Sequence, residues 1–239
     1  MKLKTHILFI VSLQLASLML LTGQDNPMLD YLAEVSGKYG SDADLVNGEK
    51  YFYPYTRAEG TPYLYPVQQT AKLGIKGKEF ADQKVKFDIY NQQLVLEYTD
   101  SYGSFNNLVL RTEWVEYVDF GGMFFKKMTG PEGGDAYLQV IYEGRISCYY
   151  RWSKLYQLNL NSGVQNYYFT EPNRESYLHR DGEFSSYRNN RTFLKAFEKT
   201  ERKLIKQHLK KNKLKVKQAS NIQMAGIVQY CESIEDEAN

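Results

Sequence analysis

Nine lysines and arginines stand in the stretch from Lys199 to Lys217, against one acid, Glu201. A run of this kind can do one sort of chemistry, the attraction of anions through space. Placed on a helix at about 100° per residue, Lys199, Arg202, Lys203, Lys206 and Lys210 fall on one side with Lys195. Phe193, Leu194, Phe197, Glu201, Leu204, Ile205, His208 and Leu209 span the opposite arc. Like-charge pairs such as Lys199–Lys203 and Lys206–Lys210 cost roughly 0.2–0.5 kcal/mol each on an isolated helix. Cations near the C-terminal end of the helix recover about 0.3–1 kcal/mol apiece. The lysines can therefore stand in water on a helix packed against its own sheet, or they can dock an envelope protein, an anionic lipid or a lipopolysaccharide surface.

Tyrosine is the second chemical resource, with 21 in the chain. Tyr51, Tyr53 and Tyr55 share one side of an extended "YFYPY", and Tyr63 and Tyr65 follow. Each ring offers a flat apolar face and a polar tip. Such a row either covers a sheet or forms a platform for a ligand such as a sugar, which makes a carbohydrate-binding protein or glycoside hydrolase the alternative function.

Other chemistry is scarce. Beyond His6 the chain has only His179 and His208, so a three-histidine metal site or an HExxH motif is excluded, and no GxSxG occurs. His179 sits beside a hairpin turn, and His208 falls in the apolar arc near Glu201. "DADLVNGE" (42–49) hints at calcium through Asp42, Asp44 and Asn47, but Val46 and Gly48 break the EF-hand spacing, and a turn at Asn47-Gly48 accounts for it. A glycosidase needs only two carboxylates, suitably held, and no spacing here singles out a pair. Cys148 and Cys231 match no metal or redox motif; they can form a disulfide or remain two buried thiols. No catalytic residue, metal ligand or cofactor is assigned.

The elements that must hold these groups read as strands first and helices last. From Lys72 to about Tyr187, runs of Tyr, Val, Ile, Phe and Trp alternate with polar residues between short Gly, Asn and Asp clusters. Asn91-Gln92, "EGR" at 143–145 and Asp181-Gly182 mark hairpin tips, and 129–136 a longer loop. The period changes at Asn190, where "RTFLKAFEKTERKLIKQHLKK" becomes helical. "KLKVK" alternates like a short extended piece. Ser220 and Gln223 form a capping box before a second helix whose apolar side begins with Ile222, Ala225, Val228 and Cys231. The expected fold is α+β and mainly β: an antiparallel meander, curved or folded as a sandwich, covered by two C-terminal helices whose Phe193, Phe197 and Leu204 point inward.

The N-terminus has Lys2 and Lys4, an apolar run from Ile7 to Leu21, then Thr22-Gly23, the layout of a signal peptide. Its two lysines removed, 28 basic and 28 acidic residues remain. The basic stretch alone carries +8, so the rest carries −8. The expected organisation is a signal peptide at 1–23, a short helix and loop at 24–49, a β domain at 50–188 and a helical segment at 189–239. No later stretch is apolar and long enough to span a bilayer.

"LVNGEKY" (45–51), "VKFDIYNQQLVL" (85–96), "YLQVIYEGRISCYYR" (137–151) and "YLHRDGEFSSYRNNRTFLKAF" running into "LIKQHLKKNKLK" are blocks of core and turn residues. In this order they resemble secreted proteins of Bacteroidota that have no assigned function. The resemblance implies a periplasmic, outer-membrane-associated or secreted setting, and it supplies no activity and no catalytic residues. The function expected is a non-enzymatic binding or accessory protein of the bacterial cell envelope, docking an anionic partner through the basic helix. Nucleic acid is not an expected partner.

Overall fold

Period-two alternation builds thirteen strands in the described residues, 42–100, 102–159 and 166–238 of a computed structural model. The segments read as signal peptide and first helix lie outside them. The strands are β1 (Gly48–Lys50), β2 (Gln69–Ile75), β3 (Lys78–Asp88), β4 (Gln93–Thr99), β5 (Phe105–Leu110), β6 (Val115–Asp119) and β7 (Phe124–Thr129). There follow β8 (Asp135–Tyr142), β9 (Ile146–Ser153), β10 (Tyr156–Asn159), β11 (Asn166–Phe169), β12 (Asn173–Arg180) and β13 (Glu183–Tyr187). Eleven of them form one antiparallel sheet in the order β1-β5-β4-β3-β2-β6-β7-β8-β9-β12-β13. Two meanders, β2 to β5 and β6 to β9, are joined where β2 pairs with β6, and β1 and the β12–β13 hairpin extend the ends. β10 and β11 pair only with each other within named strands, and Glu59 bridges to Tyr168 beside them.

The sheet is curled. Phe87 on β3 lies 5.1 Å from Phe125 on β7 and 5.6 Å from Tyr137 on β8, ring centre to ring centre. Strands sit about 4.8 Å apart, so a flat sheet would hold β3 and β8 roughly 19 Å from each other. Bending one face inward brings these rings together and buries Leu73, Val85, Leu94, Leu96, Val118 and Phe125 in a core that Leu45 and Leu64 of the preceding segments complete.

The other half of the same face is covered differently. Tyr137, Gln139, Tyr150 and Cys148 continue it across β8 and β9, and the C-terminal helices close it. These are α1 (Asn190–Phe193), a 3₁₀ turn (Leu194–Ala196), α2 (Lys199–Lys211) and α3 (Asn221–Ala238). Ile205 and Leu209 of α2 join Met224, Ile227, Val228 and Cys231 of α3 over Ile146, Cys148, Tyr150 and Leu178. Gln139, almost wholly buried, marks the seam, and accepts the indole N–H of Trp152 at 2.8 Å.

Three expectations need correction. The helical run from Asn190 is not continuous: Phe197 is extended, and a new helix starts after Glu198, whose N–H donates to Glu201 Oε2. That break resets the helical phase, so Phe193 and Phe197 are buried but Leu204 is 43% exposed. In α3 the Ser220–Gln223 capping box forms, yet Ile222 is 86% exposed, and Met224 and Ile227 take the inner face. "KLKVK" forms turns, with only Val216 buried. Among the described residues no helix is long and apolar enough to cross a membrane.

Candidate functional site

The basic face is built by α2 and anchored from behind. Ile205 and Leu209 are buried at the back, and His208 stacks on Tyr230 of α3 with ring centres 3.7 Å apart. Glu201, also buried, meets Arg180 of β12 at 3.5 Å. At the first turn its carboxylate also suits the positive end of the helix. His208 and Glu201 thus serve separate contacts and form no joint site. Burial, aided by Lys211, pushes the His208 imidazole below its ordinary range.

Lys199, Arg202, Lys203, Lys206 and Lys210 all face solvent. Arg202 is engaged locally: its Nε donates to the Phe197 carbonyl at 2.6 Å and bridges the break before α2. Among the described residues none of Lys199, Lys203, Lys206 and Lys210 has an acid within ion-pair distance. Four cations therefore stand exposed on a helix fixed from behind.

The tyrosine row is divided and largely consumed by the fold. The hydroxyls of Tyr51 and Tyr63 share a hydrogen bond of 2.9 Å. Tyr53 packs on Tyr55 and Tyr63. Tyr55 lies 4.9 Å from Phe169 and 5.3 Å from Tyr156, between the 51–65 segment and the β10–β11 hairpin. Tyr65 stands apart, packing on Phe120 and donating to Met123 Sδ. Tyr63 is buried and the rest are half-buried, and desolvation raises the pKa of all five phenols. Beneath them Asp88 accepts the N–H groups of Tyr90 and Asn91 and the Asn91 amide. The row works as a lid over the curled sheet, while Phe52 of the same segment and nearby Tyr90 and Tyr167 keep their rings open to solvent.

The remaining candidates also find structural partners. Asp44 pairs with Lys78 at 2.6 Å and Lys76 at 3.2 Å, which hold its carboxyl below the ordinary range. Among the described residues no three His, Cys, Asp or Glu side chains gather as metal ligands. Cys148 and Cys231 are both buried in the same core; burial pushes the Cys148 thiol up to about 12, far from a reactive thiolate. His179 rests on Phe184 on the opposite face of the sheet.

Sequence spacing did not single out Glu232. From α3 its carboxylate accepts from the Tyr142 hydroxyl at 2.6 Å, from the Ile146 N–H at 3.1 Å and from the Arg145 N–H. Gly144 lets it in, since a Cβ there would strike the carboxylate. Burial alone would raise the Glu232 carboxyl, but these donors outweigh it and hold it below its usual range. One acid thereby latches α3 onto the β8–β9 turn. The only sequence signal was the tight "EGR" turn, whose open N–H groups need an acceptor.

No protein-family profile, curated protein or solved structure matches the chain.

Proposed function

We propose that this chain is an exported, non-enzymatic binding module of the bacterial cell envelope that docks on phosphate-bearing lipid headgroups through the outer face of α2. The observation that carries the reading is the stripe of Lys203, Lys206 and Lys210, exposed and without acidic partners among the described residues. The stripe spans about 10 Å along the helix, close to the Debye length of ~8 Å at physiological salt, so the charges act together on a facing anionic surface. Burial of Ile205 and Leu209 fixes the helix from behind, so little ordering is needed on docking. The leader-like N-terminus and the resemblance to secreted Bacteroidota proteins support the envelope setting.

Each lysine near an anionic lipid surface contributes about 1 kcal/mol. Losing three weakens binding about a hundredfold. The test is co-sedimentation of the protein with vesicles of phosphatidylglycerol and phosphatidylcholine, against phosphatidylcholine alone. Binding is expected only to the anionic vesicles, falling as salt rises, and largely lost in the triple variant Lys203→Glu, Lys206→Glu, Lys210→Glu. Equal binding by wild type and triple variant would refute this face.

A further inference from the structure

Beside the tyrosine lid lies an open groove of about 750 Å³, bordered by the β3–β4 turn, the β7–β8 loop and the start of β12. One wall is apolar and exposed: Tyr90 is 39% and Leu155 58% open to solvent. The Tyr90 ring is held from behind by Tyr55 at 6.0 Å, Phe169 at 5.5 Å and Tyr156 at 6.2 Å, so its orientation is set before any ligand arrives. The rest of the lining is polar and carries Glu132, Glu171 and Glu175 beside Arg151 and Lys154. Arg151 is shared between Glu132 at 3.1 Å and Glu175 at 3.5 Å. Gln92 donates its amide hydrogens to the carbonyls of Ile89 and Trp152, at 2.8 and 2.9 Å. Its Oε1 is buried and accepts nothing among the described residues.

We propose that this groove binds a neutral oligosaccharide. Tyr90 and Leu155 would pack on the C–H face of a sugar ring, as a flat aromatic beside an aliphatic side chain allows. The carboxylates and cations lining the groove, Glu132, Glu171, Glu175, Arg151 and Lys154, suit sugar hydroxyls, which donate as readily as they accept. A charged ligand is disfavoured because it would compete with the Glu132–Arg151–Glu175 pairs already made. An extended peptide is disfavoured because it adds along a sheet edge, and among the described residues the end strands of the large sheet are β1 and β13, neither of which lines the groove. The site is separate from the lysines of α2 and uses none of the tyrosines of the "YFYPY" row directly.

The experiment is affinity electrophoresis and calorimetric titration of the full chain with a panel of soluble neutral oligosaccharides: cello-, xylo-, malto- and manno-hexaoses. At least one member is expected to bind, with little dependence on salt. Tyr90→Ala should weaken that binding about tenfold. Leu155→Arg should weaken it likewise; this exposed residue can change without disturbing the core, so the test survives if Tyr90→Ala folds poorly. Lys203→Glu should leave it unchanged. Binding by no member of the panel, or binding that persists in both groove variants, would overturn the proposal.

Discussion

The two halves of the sheet bury the same face by opposite means. From β1 to the start of β8 the sheet curls on itself, and Phe87, Phe125 and Tyr137 fill the bend. From β8 to β13 it stays open enough to need α2 and α3, which bring Ile205, Met224 and Ile227 to cover Cys148 and Tyr150. The difference has a functional consequence. A sheet that covers itself spends its aromatic side chains inward, and the tyrosine row becomes a lid. A sheet covered by helices gains a second outer layer, whose exposed side is free to carry lysines.

Changes to the packed rings should have the largest effects. Phe87→Ala in the curled half and Phe193→Ala under the helices should each cost about 3–5 kcal/mol in urea unfolding. Because Gln139 sits at the seam between the cores, both variants should shift one shared transition. Two separate transitions would mean that the halves are independent domains.

Glu232→Gln should come next, at about 2 kcal/mol, because it removes a charge-assisted latch. Its pH dependence has a definite sign. The folded-state pKa of Glu232 is depressed, so its stabilisation is present above the unfolded carboxyl pKa and is lost as pH falls through the folded value. Thermal melts followed into the acid range should show that loss in wild type and a correspondingly weaker dependence in Glu232→Gln.

Gln139→Leu should cost about 1 kcal/mol by leaving the Trp152 indole N–H without its acceptor, and should alter the tryptophan emission. The smallest effect is expected at the exposed apolar positions of the helices: Leu204→Lys and Ile222→Lys should stay within about 0.5 kcal/mol of wild type in the same unfolding assay.

Local patterns were legible in the sequence where the physics is local. Asp181-Gly182 makes its hairpin with both residues at positive φ, and Ser220 caps α3 as the spacing predicts. The mainly β fold with terminal helices followed from period and turn residues. What failed depended on distant partners. The break at Phe197 shifted Leu204 outward because a single phase cannot run through an extended residue. The β2–β6 pairing and the curl that unites β3 with β8 rest on contacts far apart in sequence. The lysine stripe was readable because exposure on one helix side is periodic, whereas the groove beside Tyr90 gathers residues from four separate segments, which no spacing reveals.

The most direct test of the lysine face is amide hydrogen exchange of the full chain with and without phosphatidylglycerol vesicles. Slower exchange centred on Lys203–Lys210, absent with phosphatidylcholine and absent in the triple Lys→Glu variant, is the result expected. Protection confined to other segments, or none at all under conditions where the protein sediments with the vesicles, would contradict it.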